Sequence, residues 1–508
     1  MPSRAFLSMD LSDPTWWAYV GLLILAVYFR FSRFFSIRNL DLLLLIGLST
    51  SLTATIEFPR RSQEQAASQR PSPLTTTRPL PTALPLLVSL IQAAGDEPPP
   101  AVSREPASAD TPDSDTGSTP GSLPPNGNSL RQSGRVPDSR AAIHRWGALA
   151  LVIFTLLLLV RLIVDESLTR RPKLDQNLNT AGLVFLCIPA FAILMAHVAF
   201  RPPPAVTQKM LITGKALLER RDVPAIPEPA DATSSAENLP ISPTGALVGA
   251  GGHVVSGLAA RRPEVSARVL VILAHSLVLA GLLAVSRWHF ASNQIGIAMC
   301  CLYLLLPCTA ASVHQLGHVL PAACLIWAFA SWRRPIVSGV LLGLACGTLF
   351  FTAFLLPLWA VSYGRRSSLR FLVSVLAVSA VLLTTLLLIS SDASSFTGKL
   401  MLNVNWTVYR LLDSSAVVGE VSTGQTAIRI IMAAVFFIML TAMTALPRQR
   451  NLEGLLANST SLIVAAQMWY PDDIGRYVLW YLPLLLLVIF RPRLDRLLLP
   501  PAVPVTAA

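Results

Sequence analysis

Residues 336–362 read IVSGVLLGLACGTLFFTAFLLPLWAVS, 27 residues without a charge. As one straight helix this stretch would be about 40 Å long at 1.5 Å per residue. The hydrocarbon it would cross is only about 30 Å thick. Cations flank it on both sides, with Arg333 and Arg334 before and Arg365, Arg366 and Arg370 after. Short cytoplasmic loops of membrane proteins collect Lys and Arg, so a single crossing would leave one of these clusters outside. It would also place Arg448, Arg450, Arg491, Arg493 and Arg496 outside and the Asp472-Asp473 pair inside. A segment that dips in and returns keeps every later basic loop on one side. Gly339, Gly343, Gly347 and Pro357 are the positions where its backbone is expected to break. Non-helical backbone at that depth requires cover from neighbouring helices.

The rest of the chain sets this stretch in a membrane. Of 508 residues, 53% are apolar and 13% charged, and the mean hydropathy is +0.56. A soluble domain carries about 25% charged residues, so a cytosolic enzyme, a secreted domain and an unfolded chain are excluded. Further apolar spans lie at 16–29, 40–56, 146–164, 180–200, 268–286, 294–312, 316–332, 371–390, 427–446, 453–469 and 476–490. They are continuously apolar rather than alternating, which selects helices over a membrane barrel. Trp16, Trp17, Trp146, Trp332 and Trp469 stand near span ends, as an interfacial aromatic belt does. Asp10 and Asp13 spoil a basic leader, so the first span is expected to be retained. The net charge of +12 is a topology signal, and no basic soluble face for nucleic acid is present. Arg30, Arg33 and Arg38 make the first loop cytoplasmic and the N-terminus external.

Two stretches interrupt the spans. Residues 57–145 hold nine acids, nine bases and fifteen of the 39 prolines, and residues 201–266 hold nine more prolines. Such composition favours disorder, although the weakly apolar runs 84–94 and 246–260 could form short interfacial helices. The expected architecture is an all-α polytopic transmembrane bundle of about 11–13 hydrophobic segments, one of them re-entrant, with two long disordered loops. Its parts are a helix pair at 1–56, the loop 57–145, a second pair at 146–200, the linker 201–266, the main helical domain 267–490 and a tail at 491–508.

Chemistry gathers at the outer ends of the spans. His314-Gln-Leu-Gly-His318 puts two imidazoles four apart, one above the other if helical. Gln315 stands where a zinc protease has its glutamate base, which leaves an interfacial helix start or substrate contact by His314, Gln315 and His318. Asp472 and Asp473 precede Arg476 and read either as a helix cap or as working carboxylates. Asn403, Asn405, Trp406, Tyr409 and Arg410 mix amide, aromatic and cationic groups, as ordinary interface chemistry does and as sugar or lipid-phosphate recognition also does. Arg161 with Asp165, and Arg38 with Asp41, read as ion pairs anchoring span ends near water. His197 and His275 lie deeper and are expected to bond neighbouring helices. The six cysteines all fall in apolar runs with no CxxC pair, so neither metal nor redox cofactor is expected.

From Tyr303 onward, Tyr303-Leu-Leu-Leu-Pro307, His314-Gln315, Arg333-Arg334-Pro335, Ser338-Gly339-Val-Leu-Leu-Gly343, Leu356-Pro357 and Arg365-Arg366 follow in order. This stretch resembles the middle of multi-pass GT-C-type glycosyltransferases, in particular bacterial mannosyltransferase-like members. The chain as a whole is similar to a bacterial family of multi-pass membrane proteins. The resemblance implies a cell-membrane enzyme, in the bacterial plasma (inner) membrane, that takes a polyprenyl-phosphate sugar on the outer face among membrane lipids. An acidic residue would act as base, for which Asp472, Asp473 and Asp13 are the candidates, and Arg410 or Arg476 would hold the phosphate. Two departures stand out. The transferases carry an essential aspartate just after their first span, where this chain has a basic loop, and Thr348-Leu-Phe-Phe-Thr352 stands where they often carry lysine. A transporter or flippase using the broken stretch 336–362, or a non-enzymatic membrane component, are the rival expectations.

Overall fold

The computed structural model describes residues 14–69, 139–167, 176–222, 242–258, 263–404, 423–445, 451–469 and 477–492. They are all-α. In order, the helices are α1 (Pro14–Tyr28), α2 (Ile37–Gln69), α3 (Ser139–Ile163), α4 (Thr180–Phe200), α5 (Ala205–Glu219), α6 (Pro243–Leu258), α7 (Pro263–His289), α8 (Asn293–Leu305), α9 (Pro307–Ala311) and α10 (Leu316–Ala330). They continue as α11 (Pro335–Cys346), α12 (Leu356–Ser362), α13 (Arg365–Leu388), α14 (Ala393–Val404), α15 (Thr423–Ala445), α16 (Leu452–Trp469) and α17 (Val478–Phe490). The 3-10 turns Val164–Ser167 and Phe350–Leu355 join them. Contacts divide the chain into residues 1–59 with 141–508, and residues 60–140. Of the second unit only 60–69 and 139–140 are described, both helical.

Five helical stretches, Ile37–Thr55, Trp146–Ile163, Thr180–Phe200, Glu264–His289 and Arg365–Leu388, are long and apolar enough to cross a membrane. The chain is a membrane protein. Between the long helices lie short apolar ones, among them α8, α10, α11 and α17. At 12 to 15 residues each, they rise only about 18–22 Å and stop short of a full crossing.

The uncharged stretch 336–362 doubles back. A methyl on Gly339 would meet Phe371 O and the Ser374 side chain, one on Gly343 would meet Val378, and one on Gly347 would meet Leu382. The numbers rise together, so α11 and α13 run parallel. Two parallel helices in succession require the connection to return to its start, and Phe350–Leu355 with α12 make that return. Tyr363, just after α12, packs its ring 5.4 Å from Phe371 near the start of α13.

The glycines act differently from expectation. Gly339 and Gly343 lie within α11 and do not break it; they let α13 approach closely, as small residues at four-residue spacing do in membrane helices. Only Gly347, the C-cap of α11, stands at a break. The span 294–312 is also interrupted. Leu306 leaves helical geometry (φ −63°, ψ 129°) ahead of Pro307, whose ring disfavours helix in the preceding residue.

The linker expected over 201–266 contains two packed helices. α5 and α6 touch backbone to backbone, where a methyl on Gly214 would collide with the backbone of Gly249 and Ala250. Thr244 at the start of α6 donates to Leu344 O (2.8 Å) near the end of α11, and Thr207 in α5 donates to His314 O (3.4 Å). Far from being a loose interfacial helix, α6 therefore reaches the tip of the re-entrant hairpin. The 84–94 run lies outside the described residues. α2 continues to Gln69 and α3 begins at Ser139, both reaching into the expected loop 57–145.

Helix ends sort into two groups. Asn177 ahead of α4 donates to Ala26 O (2.8 Å) and Phe29 O (3.0 Å) at the end of α1, and Gln294 at the start of α8 donates to Gln176 (3.4 Å). His289 at the end of α7 bonds Ala330 O (3.0 Å) at the end of α10. These ends, together with the basic turns, form one pole. With cysteines introduced at Arg334 and Arg366 in sided membrane vesicles, both positions are expected to react from the same side with a membrane-impermeant maleimide; modification from opposite sides would mean a full crossing.

Candidate functional site

The opposite pole is lined by histidine and aromatic rings. His275, within α7, satisfies both ring nitrogens, since Nε2 lies 3.0 Å from Val313 O and Nδ1 3.1 Å from the Tyr303 hydroxyl. A carbonyl only accepts, so Nε2 carries the proton and Nδ1 accepts from Tyr303. The neutral ring thus pins α7 to α8 and to the turn ahead of α10, as expected for a lone deep histidine.

His314 and His318 do not stack along one helix. His314 lies in the turn before α10 and only His318 is inside it. Their contacts diverge. The His314 ring sits 5.0 Å from His197 near the end of α4, and the buried His318 ring sits 5.7 Å from Tyr477, at the N-cap of α17. Gln315 is half-buried and gives α10 no side-chain cap. Tyr477 in turn packs against Phe351 (5.4 Å) and Trp480 (5.9 Å), while Phe351 lies 4.7 Å from Trp480. Phe354 meets Trp469 at 6.0 Å and Phe436 at 5.1 Å. The tip of the hairpin, the end of α16 and the start of α17 therefore meet in one aromatic cluster beside His318. Phe351 was not singled out in the sequence, because an apolar run gives no sign of which of its rings meets a neighbour, and His197 reads as bonding a neighbouring helix without its partner being legible.

Asp13, Arg410, Asp472, Asp473 and Arg476 lie outside the described residues. Among the described residues no three His, Cys, Asp or Glu side chains gather closely enough to hold a metal ion. Comparison with protein-family models, curated proteins and solved structures finds no match to the chain.

The basic pole carries a different chemistry. Arg161 at the end of α3 forks onto Asp41 of α2 through Nε (2.6 Å) and Nη2 (2.8 Å) and reaches Asp165 through Nη1 (2.7 Å). Arg491, just past α17, bonds Asp165 as well, and also Glu453 Oε1 (2.8 Å) and Glu453 O (2.7 Å) at the start of α16. The four-residue Arg161–Asp165 pair was legible; its partners far along the chain were not. Nor does the network sit near water, as expected, since the Asp165 and Arg491 side chains are fully shielded. Removing one member of such a buried set leaves charge uncompensated, at a cost of about 3–5 kcal/mol. Asp165→Asn is accordingly expected to lower the thermal stability of the detergent-purified protein sharply, while Lys215→Gln, in an exposed pair with Glu219, is expected to leave it within about 0.5 kcal/mol.

A second charged contact lies beyond α5. Lys399 of α14, 1% exposed, donates to the partly exposed Asp222 (2.6 Å) and to Ile389 O at the end of α13. The hydrogen bonds from Lys399 and then Ser391 hold the Asp222 carboxyl down at about 2. A lowered pKa makes the contact stabilising above the ordinary carboxylate value and removes that stabilisation as pH falls through the lowered one. Asp222→Asn is expected to lose no more than about 1 kcal/mol at neutral pH, because the carboxylate is open to solvent, with the stability gap to the native protein closing between about pH 4 and pH 2; a gap unchanged by acid would contradict it.

Proposed function

We propose that this chain is a multi-pass enzyme of the bacterial plasma membrane, a GT-C-like glycosyltransferase that takes its sugar from a polyprenyl-phosphate carrier on the outer face. The observation that carries the reading is the packing of His318 against Tyr477. It brings the turn holding His314, Gln315 and His318 to Tyr477, the residue that follows the Asp472–Arg476 segment in the sequence. In the reaction the acceptor hydroxyl oxygen attacks the sugar C1 as the C1–O bond to phosphate breaks, with inversion. The acceptor proton passes to a carboxylate, Asp472, Asp473 or Asp13, acting as general base. The phosphate departs with the bonding pair and is held by Arg410 or Arg476 through charge-assisted hydrogen bonds. His314, Gln315 and His318 contact the substrate.

One observation favours a second reading. Helices interrupted within apolar stretches, as at Leu306–Pro307 and Gly347, are the construction of transporter and flippase sites. Transfer of labelled sugar from a polyprenyl-phosphate donor by the purified protein, with a loss of at least about 100-fold in Asp472→Asn or Asp473→Asn, is the expected result. Full activity in both variants would remove the carboxylate assignment. Uptake of the labelled lipid-linked sugar into proteoliposomes without transfer would select the transporter.

A further inference from the structure

No aspartate or glutamate occurs from residue 265 to residue 391, a run that contains seven arginines. Five of them, Arg333, Arg334, Arg365, Arg366 and Arg370, stand at the mouth of the re-entrant hairpin, and all five are exposed. Gly339 comes four residues after the start of α11 and lies against Phe371, six residues after the start of α13. The two parallel helices therefore begin within about one turn, 5.4 Å, of each other along their axes, and the two groups of arginines are brought to the same level. No ion pair to a described carboxylate involves any of the five.

Within the protein this placement is unfavourable. Cations are disfavoured at a helix N-terminus, where the dipole is positive, yet both helices start on arginines and neither has an acid in its first turn. Arg366 and Arg370 are also four apart on one helix, where like charges repel. The described part of the chain brings no anion to offset them.

Below the arginines the same surface turns apolar. Arg366, Leu369, Arg370, Val373 and Leu376 recur at three- and four-residue spacing along α13 and so share one side of it. Leu369, Val373 and Leu376 are 65%, 57% and 67% exposed. On α11, Ile336 and Val337 follow Arg334 and are exposed as well. Cations at the helix start and bare apolar side chains along the rest match an amphiphile with an anionic head and a hydrocarbon tail. A soluble anion would use only the first feature and a neutral lipid only the second. Arginine suits a phosphate head, because its planar fork donates two parallel hydrogen bonds to phosphate oxygens.

We infer that the mouth of the hairpin is a binding site for an anionic phospholipid, whose phosphate meets the arginines at the starts of α11 and α13 and whose acyl chains lie along the exposed side of α13. The bound lipid offsets the repulsion between the two helix starts and so fixes the mouth of the hairpin at the headgroup layer.

Thermal unfolding of the detergent-purified full-length protein tests the site, with dioleoyl phosphatidylglycerol as probe and dioleoyl phosphatidylcholine and inorganic phosphate as controls. Phosphatidylglycerol is expected to raise Tm beyond either control. A basic residue near an anionic lipid surface is worth roughly a factor of five in affinity, so the double variant Arg366→Gln/Arg370→Gln is expected to weaken phosphatidylglycerol binding about 25-fold. The same variant is expected to keep or raise the Tm of the lipid-free protein, since it relieves repulsion at a helix start. Lys215→Gln/Arg221→Gln removes the same charge from exposed positions on and just beyond α5 and is expected to leave the affinity unchanged. Equal shifts from the two lipids would overturn the site, and so would an equal shift from inorganic phosphate, which would make the ligand a free anion. Unaltered affinity in Arg366→Gln/Arg370→Gln, or an equal loss in Lys215→Gln/Arg221→Gln, would overturn it too. So would a fall in the lipid-free Tm of Arg366→Gln/Arg370→Gln, which would mean that these arginines are already satisfied inside the protein.

Discussion

The close parallel contact of α11 with α13 is the constraint on which the rest of the molecule depends. Consecutive membrane helices are usually antiparallel, because one crossing leaves the chain on the far side. Here a side chain at Gly339 would collide with α13 and one at Gly343 would press on Val378, and the order of contacts makes the pair parallel. The chain must therefore come back within 347–364, and α10 and α16 close over the return. Phe329 of α10 packs 4.8 Å from Trp359, whose ring nitrogen donates to Ser459 of α16. That cover is what non-helical backbone in hydrocarbon demands. Every later helix takes its direction from the return, including α16 and α17, whose ends meet at Glu453 and Arg491.

Doubling back has a consequence for what can be placed at depth. A full-length helix presents satisfied backbone throughout, whereas a helix that stops inside the bundle leaves free backbone groups and short polar side chains at its end. The break at Pro307, the turn holding His314 and the 3-10 segment Phe350–Leu355 are such interruptions, and Ser49, His275 and Thr207 bond the Cys308 N–H, Val313 O and His314 O there. α5 and α6 reach these interruptions, with Thr207 on the His314 carbonyl and Thr244 on Leu344 and Gly347. A stretch rich in proline that composition alone would leave unstructured therefore supplies packed helices. Its glycines, Gly214 and Gly249, permit the contact that compensates for the order imposed.

What the sequence could reveal follows the range of each interaction. Charge flanking a long apolar run is a local pattern with a global consequence, and it placed the hairpin correctly. The meaning of the glycines was not local, since a glycine that breaks a helix and one that admits a neighbour look alike until the neighbour is known. The histidine spacing misled for the same reason. His314 and His318 are four apart, but the helix starts between them at Leu316, so the spacing does not make them neighbours on one face. Arg161 and Asp165 were readable as a pair, while Asp41, Glu453 and Arg491 join them only through the fold.

The two poles balance their polar groups in different ways. At the basic pole Asp41, Asp165 and Glu453 each face a guanidinium of Arg161 or Arg491. Separating those charges inside the bundle would expose each to a medium that cannot solvate it, so that pole favours one fixed arrangement and ties the first helices to the last. At the other pole the buried groups are neutral, and leaving them unpaired costs far less than leaving an ion unpaired. The basic pole holds the helices in register through these ion pairs.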